Sequence, residues 1–328
     1  MKKYFLVSTI LLGGCKNPML QSSSSATLVP THANANFVLG TSNGKLIFNC
    51  HLDANKNIIC PNDAQVVNAF SNSDSIAGIA LDGNNFYVNN KTNSRKTASL
   101  VQCLRTDPIT CSRPVPLTLR ATEGPSLVHN GYIYTVSRES PFLEFCKINP
   151  NGSINSSCKT DSYGLQKTAF LSIKSFHDDI FISQESPSGI RRCSQDPEDA
   201  FLDCEDELYF DGPSLFISDF DFYTSTQNTD FVYQSLHAEG LSVRDLDEID
   251  DPIQTIATTS FDNGKPIKNV VHHHDLYITT EEPSLLYRCS LNSATGTIEE
   301  KSCTKQGDLK SQFEINGKTY IPTTITFY

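Results

Sequence analysis

An all-β propeller of six four-stranded blades is the architecture this sequence predicts. Three observations predict it. Cysteines recur in short-range pairs, the pairs recur with a period in the forties, and each period holds four short strands without sustained helical periodicity.

The cysteine pairs come first. Five stretches begin and end on cysteine: Cys50 to Cys60, Cys103 to Cys111, Cys146 to Cys158, Cys193 to Cys204, and Cys289 to Cys303. The separations are 10, 8, 12, 11 and 14 residues, which suit two antiparallel strands and their turn. Metal ligation normally uses the tighter C-x₂₋₄-C spacing. Each pair is therefore expected to form a local disulfide stapling one hairpin, contributing roughly 2–3 kcal/mol in the chain-entropy picture.

The period comes second. The first cysteines of successive pairs step by 53, 43, 47 and then 96 residues. The last step is two periods, so one repeat lacks its pair. That unit is read in "FVYQSLHAEGLSVRDLDEID", with Tyr233-Gln234-Ser235 set where Tyr287-Arg288-Cys289 stands one repeat later.

The strands come third. An apolar first strand recurs as "SIAGIAL", "GPSLVH", "FLSIKSF", "GPSLFIS" and "IKNVVH". A polar turn leads to an aromatic second strand: "NFYVN", "GYIYTV", "DIFISQ", "DFYTST" and "DLYITT". The third strand ends on the first cysteine and the fourth carries its partner. A propeller leaves only short, protected sheet edges. A sandwich with a second domain would not explain the period. The N-terminal unit lacks a first strand, which "DLKSQFEINGKTYIPTTITFY" at the C-terminus can supply, closing the ring. "NFVLGTS" and "KTYIPTT" make seven second-strand patterns against six of the others. The count favours six blades and leaves seven open.

The first residues read as an address. Lys2 and Lys3 precede an apolar run, Tyr4 to Leu12, too short to span a bilayer and polarised like an export signal. Leu12-Gly13-Gly14-Cys15 resembles the lipobox of bacterial lipoproteins. The resemblance implies cleavage before Cys15 and acylation of its thiol, and Lys16, in place of the Asp that retains enteric members at the inner membrane, points to the outer membrane, facing the periplasm or the surface. An ordinary secreted protein with a chance cysteine is the alternative. The expected organisation is a signal peptide over 1–14, a lipidated cysteine and flexible tether over 15–35, and the propeller over 36–328. The tether's r.m.s. reach is on the order of 25 Å. Export also places the remaining cysteines where disulfides persist.

The chain looks like a secreted bacterial β-propeller lipoprotein built from cysteine-paired repeats. It contains no Trp, which sets it apart from WD40 blades, from the tryptophan-docking repeats of quinoprotein-like propellers and from the propeller lipoprotein of the barrel assembly machinery. No double-glycine kelch pattern appears.

Function is less legible. A formal charge of −11 argues against nucleic-acid binding. Propellers usually bind at the face carrying the second-to-third strand loops and the blade connections. There, Arg138-Glu139-Ser140-Pro141, Gln184-Glu185-Ser186-Pro187 and Glu281-Glu282-Pro283 read as type I turns. Glu139, Glu185 and Glu282, with Asp74, Glu123 and Asp211 ahead of the first strands, form a candidate acidic binding face, or simply a solvated rim. Channel ends read as Ser75, Ser126, Ser172, Ser214 and Asn269, a weak donor set for a metal. His272-His273-His274 falls in a first-to-second turn with His129 and His177 at similar positions; His272 and His274 are weak metal candidates on the opposite face. No G-x-S-x-G elbow or free thiol offers a nucleophile. No cofactor and no catalytic residue is expected. The reading is a lipid-anchored binding or scaffold module for an envelope protein, peptide or glycan. The alternatives are a metal-dependent hydrolase or lyase using the channel, and a surface adhesin. The connection over 247–266 is a lid, a contact loop or solvated slack.

Overall fold

Six antiparallel four-stranded sheets stand around a common axis in the computed structural model. It describes residues 37–41, 44–60, 65–66, 69–70, 74–92, 97–106, 109–120, 124–137, 142–161, 169–205, 210–211, 216–248, 251–299, 301–308, 314–315, 318–319 and 322–327. The signal, Cys15 and the tether lie outside the described residues.

Blade I takes its first strand, Pro322–Phe327, from the C-terminus and its second and third, Phe37–Thr41 and Leu46–Leu52, from the N-terminal part of the chain. Phe37 pairs with Phe327 and Leu39 with Ile325, so the two parts of the chain are joined strand to strand. The surplus "KTYIPTT" is resolved as well. Lys318–Thr319 pairs with Glu314–Ile315 in a small ribbon, and Pro322 onward opens the first strand of blade I. The ring therefore has six blades. The first strands of blades II to VI are Asp74–Asp82, Ser126–His129, Phe170–Phe176, Ile217–Thr224 and Lys265–His272. Each touches the first strand of the next blade, around to blade I.

The apolar core is divided into six wedges, one between each pair of neighbouring blades. A sheet face in a propeller is buried only by the face of the next sheet, so alternation along a strand sends residues to the blade before or the blade after. Ile180 and Ile182 pack back on blade III, while Phe181 between them packs forward on blade V. The one helical turn among the described residues is Thr258–Phe261, between blades V and VI.

All five disulfides are local: Cys50–Cys60, Cys103–Cys111, Cys146–Cys158, Cys193–Cys204 and Cys289–Cys303. They staple third strand to fourth. Blade V, which has none, corrects the sequence alignment. "DFYT" belongs to its first strand, and its second strand is Asp230–Leu236. Val232 pairs with Arg244 as Ile180 pairs with Cys193 and Leu276 with Cys289, so the place of the missing cysteine is held by Arg244, not Ser235. The slip has a physical cause. Blade V's first-to-second turn spans residues 225–229, against two residues in blades IV and VI, and no cysteine marks the register.

The loops closed by the disulfides also dock the preceding blade. Tyr87 of blade II donates its hydroxyl to Gly152 O of blade III at 2.9 Å, and Tyr134 of blade III donates to Ala200 O of blade IV at 2.9 Å. Tyr233 of blade V donates to Gly296 O of blade VI. Each acceptor is a loop apex with positive φ. A Cβ on Gly296 would lie 2.2 Å from the Phe231 ring, so the apex sits hard against the preceding blade. Loop length sets the reach. Separations of 11, 12 and 14 bring the apex to the tyrosine. The 8-residue separation of blade II faces Val38 instead, and disulfide-free blade V faces Phe181. Tyr87, Tyr134 and Tyr233 are fully buried, and burying such a ring contributes about 1.5–3 kcal/mol.

Two outcomes are expected. Tyr87→Phe, Tyr134→Phe and Tyr233→Phe each lower unfolding free energy by about 1–2 kcal/mol, measured in denaturant, because a buried carbonyl loses its donor. Burial, with Asp82 adding to it, pushes the Tyr87 hydroxyl up to about 12, and burial raises Tyr134 and Tyr233 as well. The unfolded chain therefore releases those protons first. Stability is unaffected by these groups below the ordinary tyrosine value of 10.0 and falls as pH rises past it. Tyrosinate absorbance followed through alkaline unfolding checks this: these rings ionise with unfolding rather than before it.

Candidate functional site

The axis is where the first strands expose polar groups with nowhere else to go. A first strand bonds its second strand along one edge, and the other edge turns to the channel with unpaired N–H and C=O groups. In blades I, II, IV, V and VI a bulge interrupts the first strand at the same level, at Thr323, Ala77, Leu171, Ser218 and Ile267. Beyond it, two alternating positions face the following blade: Thr324 and Thr326, Gly78 and Ala80, Ser172 and Lys174, Asp219 and Asp221, Lys268 and Val270, with Ala80 and Val270 packed in the apolar wedges there.

At two seams these positions satisfy the free edge of the following blade. Asp219 Oδ2 accepts the Asn269 N–H at 3.1 Å, and Asp221 Oδ2 accepts the Val271 N–H at 2.7 Å. On the other side of the ring, Thr324 donates to Ala77 O at 3.3 Å and Thr326 to Ile79 O at 3.1 Å. The same two positions thus serve N–H groups through carboxylates at one seam and carbonyls through hydroxyls at another.

The carboxylates bring cations with them. Lys174 Nζ lies 4.0 Å from Asp221 Oδ1, and Lys268 Nζ lies 3.7 Å from Asp219 Oδ1. Ser172 Oγ donates to Asp219 Oδ1. Lys174 and Asp221 retain 25% and 19% exposure, so channel water reaches them. Burial disfavours the Lys174 charge, but Asp221 and Asp219 outweigh it and hold the ammonium above its ordinary value. Burial raises the Asp221 carboxyl against the pull of Lys174 and the Val271 N–H. These positions are charged along blades IV to VI and small on blade II, where Ala80 packs in the wedge with blade III.

The expected channel residues fare unevenly. Ser172 belongs to this cluster. Ser126 bonds Thr135 within its own hairpin, and Asn269 points to Ser235 Oγ and Tyr233 O in the preceding blade. Ser75 is buried without a partner, and Ser214 lies outside the described residues. Lys174, Asp219, Asp221 and Lys268 went unread. The signal for Asp219 and Asp221 is "ISDFDFYT", two acids alternating with phenylalanines in strand periodicity, hidden by the slipped register of blade V.

On the loop face, Glu185 is exposed, and Glu282 bonds Lys265 Nζ at 2.7 Å, a hydrogen bond that holds its carboxyl below the ordinary value. Beside it, His237 of blade V meets Glu281 of blade VI. Glu123 and Glu139 lie outside the described residues; Asp74 and Asp211 sit at strand ends whose side chains are not described. The loops of blades IV and VI are not the type I turns expected, since Ser186–Pro187 and Glu282–Pro283 are cis. Three of these loops are tied in one way: Gln184 donates to Pro187 O, Thr280 to Pro283 O and Thr41 to Gly44 O.

The histidine triplet is split: the His272 and His273 rings touch, with centroids 4.3 Å apart, and His274 turns away to another partner. His272 stacks on Phe327 with centroids 4.2 Å apart, while the His274 ring accepts or donates at 2.8 Å to the Tyr223 hydroxyl. Among the described residues no three His, Cys, Asp or Glu side chains are grouped to hold a metal. The connection over 247–266 is neither lid nor slack. It carries blade V's fourth strand, Gln254–Ile256, and buries Phe261 against Tyr287, whose hydroxyl bonds Asp262.

Removing one of these carboxylates leaves a strand N–H without its acceptor and takes one carboxylate counter-charge from a lysine. Asp219→Ala and Asp221→Ala are each expected to lower unfolding free energy by about 3 kcal/mol. Lys174→Met is expected to flatten the loss of stability at high pH, because a lysine raised in the native state stabilises below its ordinary pKa of 10.5 and less above it. Thermal unfolding across pH measures both.

No family model matches the chain, and no curated protein sequence matches it. Solved structures do. The chain is similar to a "putative 6-phosphogluconolactonase" of Bacteroides uniformis, with a TM-score of 0.61, 14% identity and 85% of each chain covered. It is similar to a periplasmic gluconolactonase of Pseudomonas aeruginosa, with a TM-score of 0.58, 15% identity and 82% of each chain covered. At these identities the likeness is one of fold, and the fold it supports is the propeller.

Proposed function

We propose that this protein is a lipid-anchored binding or scaffold module of the cell envelope, using its loop face to hold a protein, peptide or glycan. One observation carries the reading: the charged groups of the channel are committed to holding the ring. Asp219 and Asp221 each serve a neighbouring strand N–H and a lysine, which leaves little of either carboxylate for a metal or for proton transfer to a substrate. The loop face, by contrast, carries charged groups open to solvent, at Glu185 and around Lys265, Glu282, His237 and Glu281. The anchor rests on the lipobox and Lys16.

A lactone hydrolase is the second reading, favoured by the gluconolactonase-like structures of similar fold. It requires chemistry from loop-face residues, since the propeller hosts many activities.

In-cell crosslinking followed by affinity purification of the anchored protein separates the readings. One stoichiometric envelope partner, weakened at least tenfold by joint Glu185→Lys and Glu282→Lys, is the expected result. No partner with two crosslinker chemistries, together with lactone turnover by the purified protein, overturns the module reading. Cys15→Ser is expected to move the protein from the membrane to the soluble fraction.

A further inference from the structure

Of the six seams between blades, the one between blades VI and I is built differently. Blade VI carries the docking tyrosine, Tyr277, in the same place as Tyr87 and Tyr134. Blade I carries a matching loop. Asp53 N bonds Asn57 O and Lys56 N bonds Asp53 O, as Asn149 N bonds Ser153 O and Gly152 N bonds Asn149 O in blade III. Lys56 is therefore the apex, with a positive φ as at Gly152. Yet the Tyr277 hydroxyl is buried with no partner, and so is Thr279 Oγ1, two residues along the same face. The loop's separation of 10 is shorter than those of the loops that reach their tyrosine.

An ionic contact takes the place of the hydroxyl bond. Lys56 Nζ reaches Asp275 Oδ2 at 2.7 Å, and Arg288 of blade VI bonds Asp275 Oδ1 at 2.9 Å and Asn55 O at 3.2 Å. Lys56 is half exposed, whereas Asp275 is buried at 4%. Surface-facing ion pairs are weak and screened by salt; buried hydroxyl–carbonyl bonds are not. Releasing Lys56 leaves Asp275 still neutralised by Arg288, so letting go does not strand a buried charge.

The other seams without a tyrosine bond are reinforced elsewhere. Blades I and II share Thr324 and Thr326 with Ala77 and Ile79, and blades IV and V share Lys174 with Asp221, Ser172 with Asp219 and His177 with Asp230.

We propose that the ring opens first between blades VI and I, and that the Lys56–Asp275 pair is a latch whose hold is set by ionic strength. Opening exposes the apolar wedge of Phe37, Leu39, Tyr277 and Leu286. The seam lies between the blade that joins the chain ends and the one before it, so it separates without breaking the pairing of Phe37–Thr41 with Pro322–Phe327.

Hydrogen–deuterium exchange on the full chain, read by mass spectrometry at low and at 1 M added salt (about 3 Å Debye length at the latter), tests the latch. Salt is expected to raise exchange about threefold in peptides covering the strands of 46–52 and 275–290, with blades II and III unchanged. Lys56→Met should show the raised exchange already at low salt, with no further response. Tyr277→Phe is expected to leave the melting temperature unchanged or raised, while Tyr134→Phe lowers it. Uniform exchange, earlier opening at another seam, or a Tyr277→Phe loss equal to that of Tyr134→Phe overturns the proposal.

Discussion

A radial sheet of four strands has two apolar faces and no means of burying either by itself. Every wedge of core in this protein lies between two blades, so no blade is complete until its neighbours stand on both sides. The pairing of Phe37–Thr41 with Pro322–Phe327 is what turns an open row into a ring. It does so with backbone hydrogen bonds between residues near opposite ends of the sequence. Loop closure over such a distance is an entropic cost that local strand pairing does not meet. The six wedges repay it together, which ties the stability of each blade to closure at blade I.

Around that constraint the repeat divides its labour by radius. At the axis, alternating side chains satisfy the open edge of the following first strand at two seams, with carboxylates for N–H groups from blade V to VI and hydroxyls for carbonyls from blade I to II. At mid-radius, apolar residues fill the wedges. At the periphery a disulfide holds a loop whose apex carbonyl receives a tyrosine from the blade before it. The disulfide therefore works across a seam as well as within a hairpin. Blade V illustrates the coupling. It has lost its cysteine pair, and the blade preceding it presents Phe181, which needs no acceptor, where a tyrosine would stand.

Much of this was legible in the sequence because disulfide spacing is a local geometric signal. Pairs 8 to 14 residues apart mark hairpins, and their recurrence marks blades. Where the signal lapsed, reading lapsed with it. Blade V, with no cysteines and a longer turn, was set in the wrong register, and Asp219 and Asp221 were lost from view with it. The tyrosines were visible in "NFYVN", "GYIYTV" and "DLYITT", but their acceptors lie in the next repeat, at a distance no periodicity encodes. The histidine triplet shows the opposite error of emphasis. Adjacency in sequence suggested a ligand set, whereas strand end and turn send His272 to Phe327 and His274 to Tyr223.

Phe37 and Phe327 are paired at the same end of blade I, the end where the first-to-second turns lie. Phe37 and Phe327 therefore lie on one side of the disc, and the loops around Glu185 and Glu282 occupy the other. Whatever is attached ahead of Phe37 pulls along the direction of the Phe37–Thr41 strand, which is held on one flank by Pro322–Phe327 and on the other by Leu46–Leu52. A load in that direction shears both ladders at once instead of peeling bonds one at a time. The strand that takes the strain is also the one that closes the ring, so a tug on the leading segment is met by the whole disc.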